Sequence, residues 1–155
     1  MSMLLDSIRR AFGVGAAARA RYTRDVILTI TGVIASSDAI GATKTVNFQE
    51  DPTQTPTSVF QVPLDRQLVI EDIYISSSYA PTNGQLRLIV NGDKIVSYVS
   101  DINDLLVSNP SRARITPFVL NPGDRLSGQL IVTGVPSSGS TTVTIKAKGK
   151  YIVTG

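Results

Sequence analysis

Few side chains in this sequence could do chemistry. The 155 residues contain no His and no Cys, so a histidine general base, a thiolate nucleophile and a disulfide are excluded. A Ser-His-Asp or Cys-His triad cannot be assembled, and the usual ligands of zinc and haem iron are missing. Carboxylates remain. Glu71 and Asp72 are adjacent, so on a regular strand they face opposite ways and pair only if a bulge turns them. A glycosidase needs two carboxylates about 5–10 Å apart across a sugar, and no spacing here nominates such a pair. Asp101, Asn103 and Asp104 form an oxygen-rich group of the kind calcium accepts. The glycine and the distal Glu of a calcium loop are missing, however, and Leu105-Leu106 follow at once. Helix capping by Asp101, with Asp104 in the first turn, is the better account. Gly13-x-Gly15-x-x-Ala18 has the outline of a dinucleotide fingerprint but lacks the preceding strand that gives such a loop its function. The sequence therefore predicts no catalytic residue, no metal, no cofactor and no small-molecule substrate.

The cations are more informative. Lys plus Arg number 15 and Asp plus Glu 12, a net +3. Residues 1–24 carry Arg9, Arg10, Arg19, Arg21 and Arg24 against Asp6 alone, a net +4, which leaves −1 on the other 131 residues. The basic character belongs to a leading arm and not to the body that follows. Lys146, Lys148 and Lys150 also line up, but at alternate positions of one strand they read as a solvated outer face.

Within the arm, Leu4, Leu5, Ile8 and Phe12 recur at helical spacing beside Arg9 and Arg10, so residues 3–12 read as a short amphipathic helix. Isolated helices shorter than about 12–15 residues are marginal in water, so this one should order on a partner or on its own body. Arg pairs bidentately with carboxylate and with phosphate. An acidic protein surface, nucleic acid and an anionic membrane are thus the three competing partners. A nucleic-acid arm would interleave more aromatics than Phe12 and Tyr22, and a membrane-surface helix would be longer with a larger polar face. Docking on protein is favoured, nucleic acid comes second, and membrane is disfavoured. The expected partner-binding set is Leu4, Leu5, Ile8 and Phe12 as apolar anchor, with Arg9, Arg10, Arg19, Arg21 and Arg24 supplying charge.

The longest apolar runs fall far below the roughly 20 residues of a membrane span. The Arg residues follow the Met3-Leu4-Leu5 group where a secretory signal would put them first. No Asn-x-Ser/Thr sequon survives, since Pro110 follows Asn109. A chain made and folded in a cytosol is expected.

Residues 25–155 read as one β domain. Val26–Thr31 is β-branched and stops at Gly32; Thr43–Gln49 alternates around Val46 and Phe48; Glu50–Thr57 is a polar loop with two prolines. Ser58–Val62 and Gln67–Ser76 follow, and in the latter the apolar phase slips between Ile70 and Ile73, which predicts a bulge near Glu71-Asp72. Gln85–Val90 and Lys94–Ser100 flank Asn91-Gly92-Asp93, a strong hairpin signal. A helical or polar connection covers Asp101–Pro110. Arg114–Leu120 contains Pro117 and so reads as an edge or bulged strand. Asn121-Pro122-Gly123-Asp124 is a turn, Arg125–Thr133 a strand, and Pro136–Ser140 a flexible turn. From Thr142 to Val153 strict alternation puts Val143, Ile145, Ala147, Gly149, Tyr151 and Val153 on one face and the lysines on the other, where they would guard a sheet edge. About eight or nine short strands without intervening helices predict an all-β, antiparallel two-sheet sandwich, a jelly roll in preference to an immunoglobulin-like fold, preceded by a short helical arm.

The runs VPLDRQLVIEDIYIS (62–76), LRLIVNGDKI (86–95), ITPFVLNPGDRLSGQLIVTG (115–134) and TTVTIKAKGKYIV (141–153) resemble small β-sandwich virion proteins of viruses and phages: jelly-roll capsid, decoration, spike and fibre domains. What they share is a Pro-led strand opening, an Asn-Gly hairpin, a Pro-Gly-Asp turn and a closing strand. These are structural signatures, and they assign no site residue. The resemblance implies a symmetric homo-oligomer, or a subunit on a larger capsid protein, residing in the virion after synthesis in the host cytoplasm. The competing reading is a glycan- or receptor-binding module. With no Trp, its platform falls to Tyr74, Tyr79, Tyr98 or Tyr151, and Tyr79 beside a Pro-Thr-Asn-Gly loop is the best placed.

Overall fold

The structure, a computed structural model, describes residues 22–75, 82–107 and 115–153. These form ten strands: β1 (Tyr22–Ala35), β2 (Thr43–Thr45), β3 (Asn47–Gln49), β4 (Phe60–Gln61), β5 (Arg66–Tyr74), β6 (Asn83–Val90), β7 (Lys94–Val99), β8 (Phe118–Leu120), β9 (Arg125–Gly134) and β10 (Ser140–Val153). One short 3-10 turn spans Ile102–Leu105. The expected helix at residues 3–12 lies outside the described residues.

The alternation of apolar and polar residues is realised as two antiparallel sheets. The first runs β3-β1-β10-β5-β8; the second runs β2-β9-β6-β7, with β4 also on β9. Leu28, Ile30 and Ile34 of β1, Val143 and Ile145 of β10, Leu86 and Leu88 of β6, and Leu130 and Val132 of β9 meet in one core. Burying a side chain of this size stabilises by about 1.5–3 kcal/mol, so the sandwich rests on this shared interior.

β1 and β10 pair along their full 14 residues, from Tyr22 opposite Val153 to Ala35 opposite Ser140. β1 thus begins three residues before the Asp25 boundary that the strand pattern suggests. β10 is also an interior strand, flanked by β1 and β5. Its lysines therefore do not guard an edge, as alternation alone implied; the free edges of this sheet are β3 and β8.

The expected strand over Thr43–Gln49 is two strands, one in each sheet. β2 pairs with β9 and β3 with β1, and Val46 marks the crossing. A strand that changes sheets must bend, and the room for Val46 comes from a missing side chain: a Cβ at Gly128 would lie 2.6 Å from Val46 Cγ2. The polar loop after β3 is exposed from Asp51 to Val59. Its neck is closed by the Phe48 and Thr57 backbones, N–H to O at 2.7 and 3.0 Å. Of the expected strand Ser58–Val62 only Phe60–Gln61 pairs. Pro117 precedes β8, which is the edge strand its presence suggests.

The slip of phase in β5 is a bulge. Asp72 stands opposite Lys148 and Ile70 opposite Gly149, leaving Glu71 as the extra residue. Ile70 and Ile73 are both buried while Glu71 is exposed, so the bulge keeps the core face continuous. It also presses β5 onto β10. A Cβ on Gly149 would collide with the Val69 carbonyl oxygen and lie 3.2 Å from Ile70 Cα. Backbone cannot rotate aside as a side-chain tip can. Gly149→Ala should therefore cost about 1–3 kcal/mol, as overpacking does, read in urea or thermal melts. An unchanged melt would show that β5 and β10 are not in this close contact.

Candidate docking surfaces

β1 begins at Tyr22, inside the expected arm of residues 1–24. There, Tyr151 of β10 lies on the inner face, 1% exposed. Arg24, directly opposite on β1, and Arg66, the first residue of β5, hold their guanidinium carbons 5.4 and 5.2 Å from the Tyr151 ring centre. Both guanidiniums are also paired. Arg24 Nη2 donates to Glu50 Oε2 at 3.1 Å, and Arg66 Nε donates to Asp65 Oδ1 at 2.8 Å. This orients two cations on one aromatic ring, each such contact being worth about 0.5–1 kcal/mol where exposed. Burial, followed by the nearby negative charge of Glu50, pushes the Tyr151 hydroxyl above its ordinary value; Arg24 and Arg66 oppose that rise. The Glu50 carboxylate faces the hydroxyl, and accepting a hydrogen bond from it adds to the rise.

Of the expected partner-binding set, Leu4, Leu5, Ile8, Arg9, Arg10, Phe12, Arg19 and Arg21 lie outside the described residues. Arg24 does not stand free on an arm: it is engaged with Glu50 and Tyr151 of its own subunit. Arg66, its partner across the ring, is not singled out by sequence. Only the register that sets Arg24 opposite Tyr151, and Arg66 opposite Val153, brings the two together.

The outer faces of the sheets differ in charge. On the first sheet Lys150 stands opposite Asp25 and Lys148 opposite Asp72, while Lys146 Nζ donates to Thr29 Oγ1 at 3.0 Å. On the second, the positions alternating with the core along the middle of β6 and β9 are Gln85, Arg87, Ile89, Ser127, Gln129 and Ile131, and of these only Arg87 is charged. Arg87 stands opposite Tyr98, its guanidinium 5.7 Å from the ring centre. Tyr98 is 50% exposed and Ile95 54%. The exposed aromatic among the described residues is therefore Tyr98. Tyr79 lies outside them, Tyr74 is half-buried and Tyr151 is buried.

The oxygen-rich group is a cap. Asp101 Oδ1 accepts from the Asn103 N–H at 2.9 Å and opens the 3-10 turn, with Asp104 in its first turn. Among the described residues no three acidic side chains gather closely enough to hold a metal ion, and no helix is long and apolar enough to cross a membrane. No protein-family model matches the chain, and no curated protein matches it.

Two measurements test the environment of Tyr151. A single hydroxyl contact nets about 1 kcal/mol, so Tyr151→Phe should change stability by no more than about that, whereas Tyr151→Ala should cost about 3–5 kcal/mol through the cavity. The second is alkaline. The unfolded chain releases the Tyr151 proton near the ordinary tyrosine value of 10.0 while the folded chain retains it. Stability contributed by the neutral ring is therefore complete below that pH and is lost as pH rises through and above it. In melts across this range Tyr151→Phe should lose less stability than the unaltered chain; equal loss would place the hydroxyl in water.

Proposed function

We propose that the chain is a non-enzymatic structural subunit of a viral or phage particle: a jelly-roll body tethered to a neighbouring subunit, or to a larger capsid protein, by its basic N-terminal arm. The observation that carries the fold part of this reading is the order of pairing. With β3 and β4 set aside as additions, eight strands remain. The first pairs with the last (β1 with β10), the second with the second-last (β2 with β9), the third with the sixth (β5 with β8), and the middle two with each other (β6 with β7). That is a long antiparallel ribbon folded in half. Its rolling is closed by β10 against β5 and β9 against β6, the arrangement of a double Greek key.

The arm carries the docking part. Its charge is concentrated ahead of a nearly neutral body, and β1 lies inside its sheet between β3 and β10, so the tether is rooted in a strand paired on both sides. Leu4, Leu5, Ile8 and Phe12 form the apolar anchor in this reading, and Arg9, Arg10, Arg19 and Arg21 meet an acidic protein surface. Arg24 belongs to the root and not to the grip. Nucleic acid is the secondary partner, and a membrane is not proposed. Subunits of this kind assemble as closed symmetric oligomers, here within a virion.

Deleting residues 2–21, which spares β1, should leave the thermal melt unchanged within about 1 kcal/mol, because surface changes away from the core act within about ±0.5 kcal/mol each. The same deletion should reduce the native mass, read by mass photometry, to that of the lone subunit, and should abolish co-purification with a larger shell protein. Replacing Arg9, Arg10, Arg19 and Arg21 by Glu should do likewise, and added salt should weaken the unaltered assembly. A truncated chain that assembles as the full chain does would sink the proposal.

A further inference from the structure

The chain has two Asn-Gly pairs, Asn83-Gly84 and Asn91-Gly92, and every other Asn precedes a larger residue. Asn-Gly is the dipeptide most open to spontaneous cyclisation, because glycine presents a backbone nitrogen without a side chain in the way. By exposure alone the candidate is Asn91, at the tip of the β6–β7 hairpin; Asn83 is half-buried at the start of β6. The hydrogen bonds point the other way.

Asn91 is clamped. Its Oδ1 accepts from the Arg125 N–H at 3.0 Å and its Nδ2 donates to Asp124 Oδ1 at 3.2 Å. Its own N–H donates to the Arg125 carbonyl at 2.8 Å. Both ends of the carboxamide are thus tied to the neighbouring turn and held off the Gly92 nitrogen. Asp124 is itself fixed, its Oδ2 accepting from the Asn121 N–H at 2.8 Å. At Asn83 the carboxamide is instead turned onto its successor: the Gly84 N–H donates to Asn83 Oδ1 at 2.8 Å. Because Oδ1 is bonded to Cγ, this contact holds the carboxamide carbon beside that nitrogen, and a small rotation about the Cα–Cβ bond closes the remaining gap. The site also lies where the ladder is weakest. β7 last pairs with β6 at Leu86–Val99, and the register with β9 slips between Asn83 and Gly84.

We propose that Asn83 is the site of spontaneous deamidation in the folded protein, and that the Asp124–Arg125 clamp protects Asn91. The Gly84 nitrogen gives up its proton and bonds to Asn83 Cγ. The bond from Cγ to the side-chain nitrogen breaks, and ammonia leaves carrying that proton. Water then opens the cyclic imide at either carbonyl, to aspartate or to isoaspartate. The new carboxylate adjoins Thr82, which is 1% exposed and whose carbonyl accepts from Asn103 Nδ2 at 3.5 Å. The isoaspartate form also lengthens the backbone at the register slip. The proposal concerns the body alone and holds whether or not the arm docks as described above.

The test is peptide mapping by mass spectrometry of the intact chain held in mildly alkaline buffer, with a synthetic peptide of residues 82–95 as the unstructured reference. Asn83 should convert several-fold faster than Asn91 in the folded protein, while in the peptide the two should convert at similar rates. Asp124→Ala should raise conversion at Asn91 several-fold, and Asn83→Gln should remove the dominant product. Conversion of Asn91 ahead of Asn83 in the folded chain would overturn the proposal. So would protection of both sites relative to the peptide, or an Asp124→Ala variant that folds and leaves Asn91 unchanged.

Discussion

The body depends on one long-range contact: its first strand pairs with its last over 14 residues each. Without it, the β3-β1 pair and the β10-β5-β8 set would be separate halves of the sheet. Such pairings must overcome loop-closure entropy before they contribute, so the chain belongs among slow-folding, high-contact-order topologies. The same pairing has a mechanical side. In the proposed assembly a tether continuing from β1 would pull along the axis of a strand bonded to β10 on one side and β3 on the other. Load applied in that direction shears many backbone bonds together and cannot peel them one at a time. A subunit held by its N-terminus gains from having that terminus in an interior strand.

Local signals were legible in the sequence wherever their cause is local. Asn91 and Gly92 adopt positive φ, 55° and 82°, because a tight hairpin demands it, and two adjacent residues that tolerate it announce the turn. The slip from Ile70 to Ile73 reports the bulge directly, since no other device keeps both residues buried. Asp101 caps its turn as its position suggests. What was not legible is pairing. Strict alternation in β10 says which residues face inward but not whether the strand is interior or edge, because the lysines satisfy either setting. Thr43–Gln49 reads as one strand since alternation continues through Val46; the bend there is set by space at Gly128, more than 80 residues away in sequence. The Arg24–Tyr151–Arg66 stack was invisible for the same reason. Its members come from three strands, and only the register joins them.

Arg24 shows how a residue's surroundings alter what its charge can do. Counted with residues 1–24 it is one of five arginines on a cationic segment. In the fold its guanidinium lies on a buried ring and meets Glu50, so its charge is largely committed within the subunit. In the proposed reading the boundary between body and tether would fall before Tyr22, where β1 begins.

The two outer faces carry this reasoning from residues to surfaces. On the first sheet, opposite charges stand across from one another, Asp25 with Lys150 and Asp72 with Lys148. Such pairs keep a face solvated and roughly neutral at short range, and a partner would have to strip water from each. On the second sheet, Arg87 is the one charge among six central positions of β6 and β9, and it lies against Tyr98. Desolvating this face costs less, because amides, hydroxyls and aliphatic groups lose less on leaving water than ions do. An assembly built from this subunit would thus meet a lower barrier to contact through β2-β9-β6-β7 than through the lysine-bearing sheet. The proposed tether would complement that arrangement by raising the local concentration of a weakly charged surface that could not by itself steer its partner from a distance.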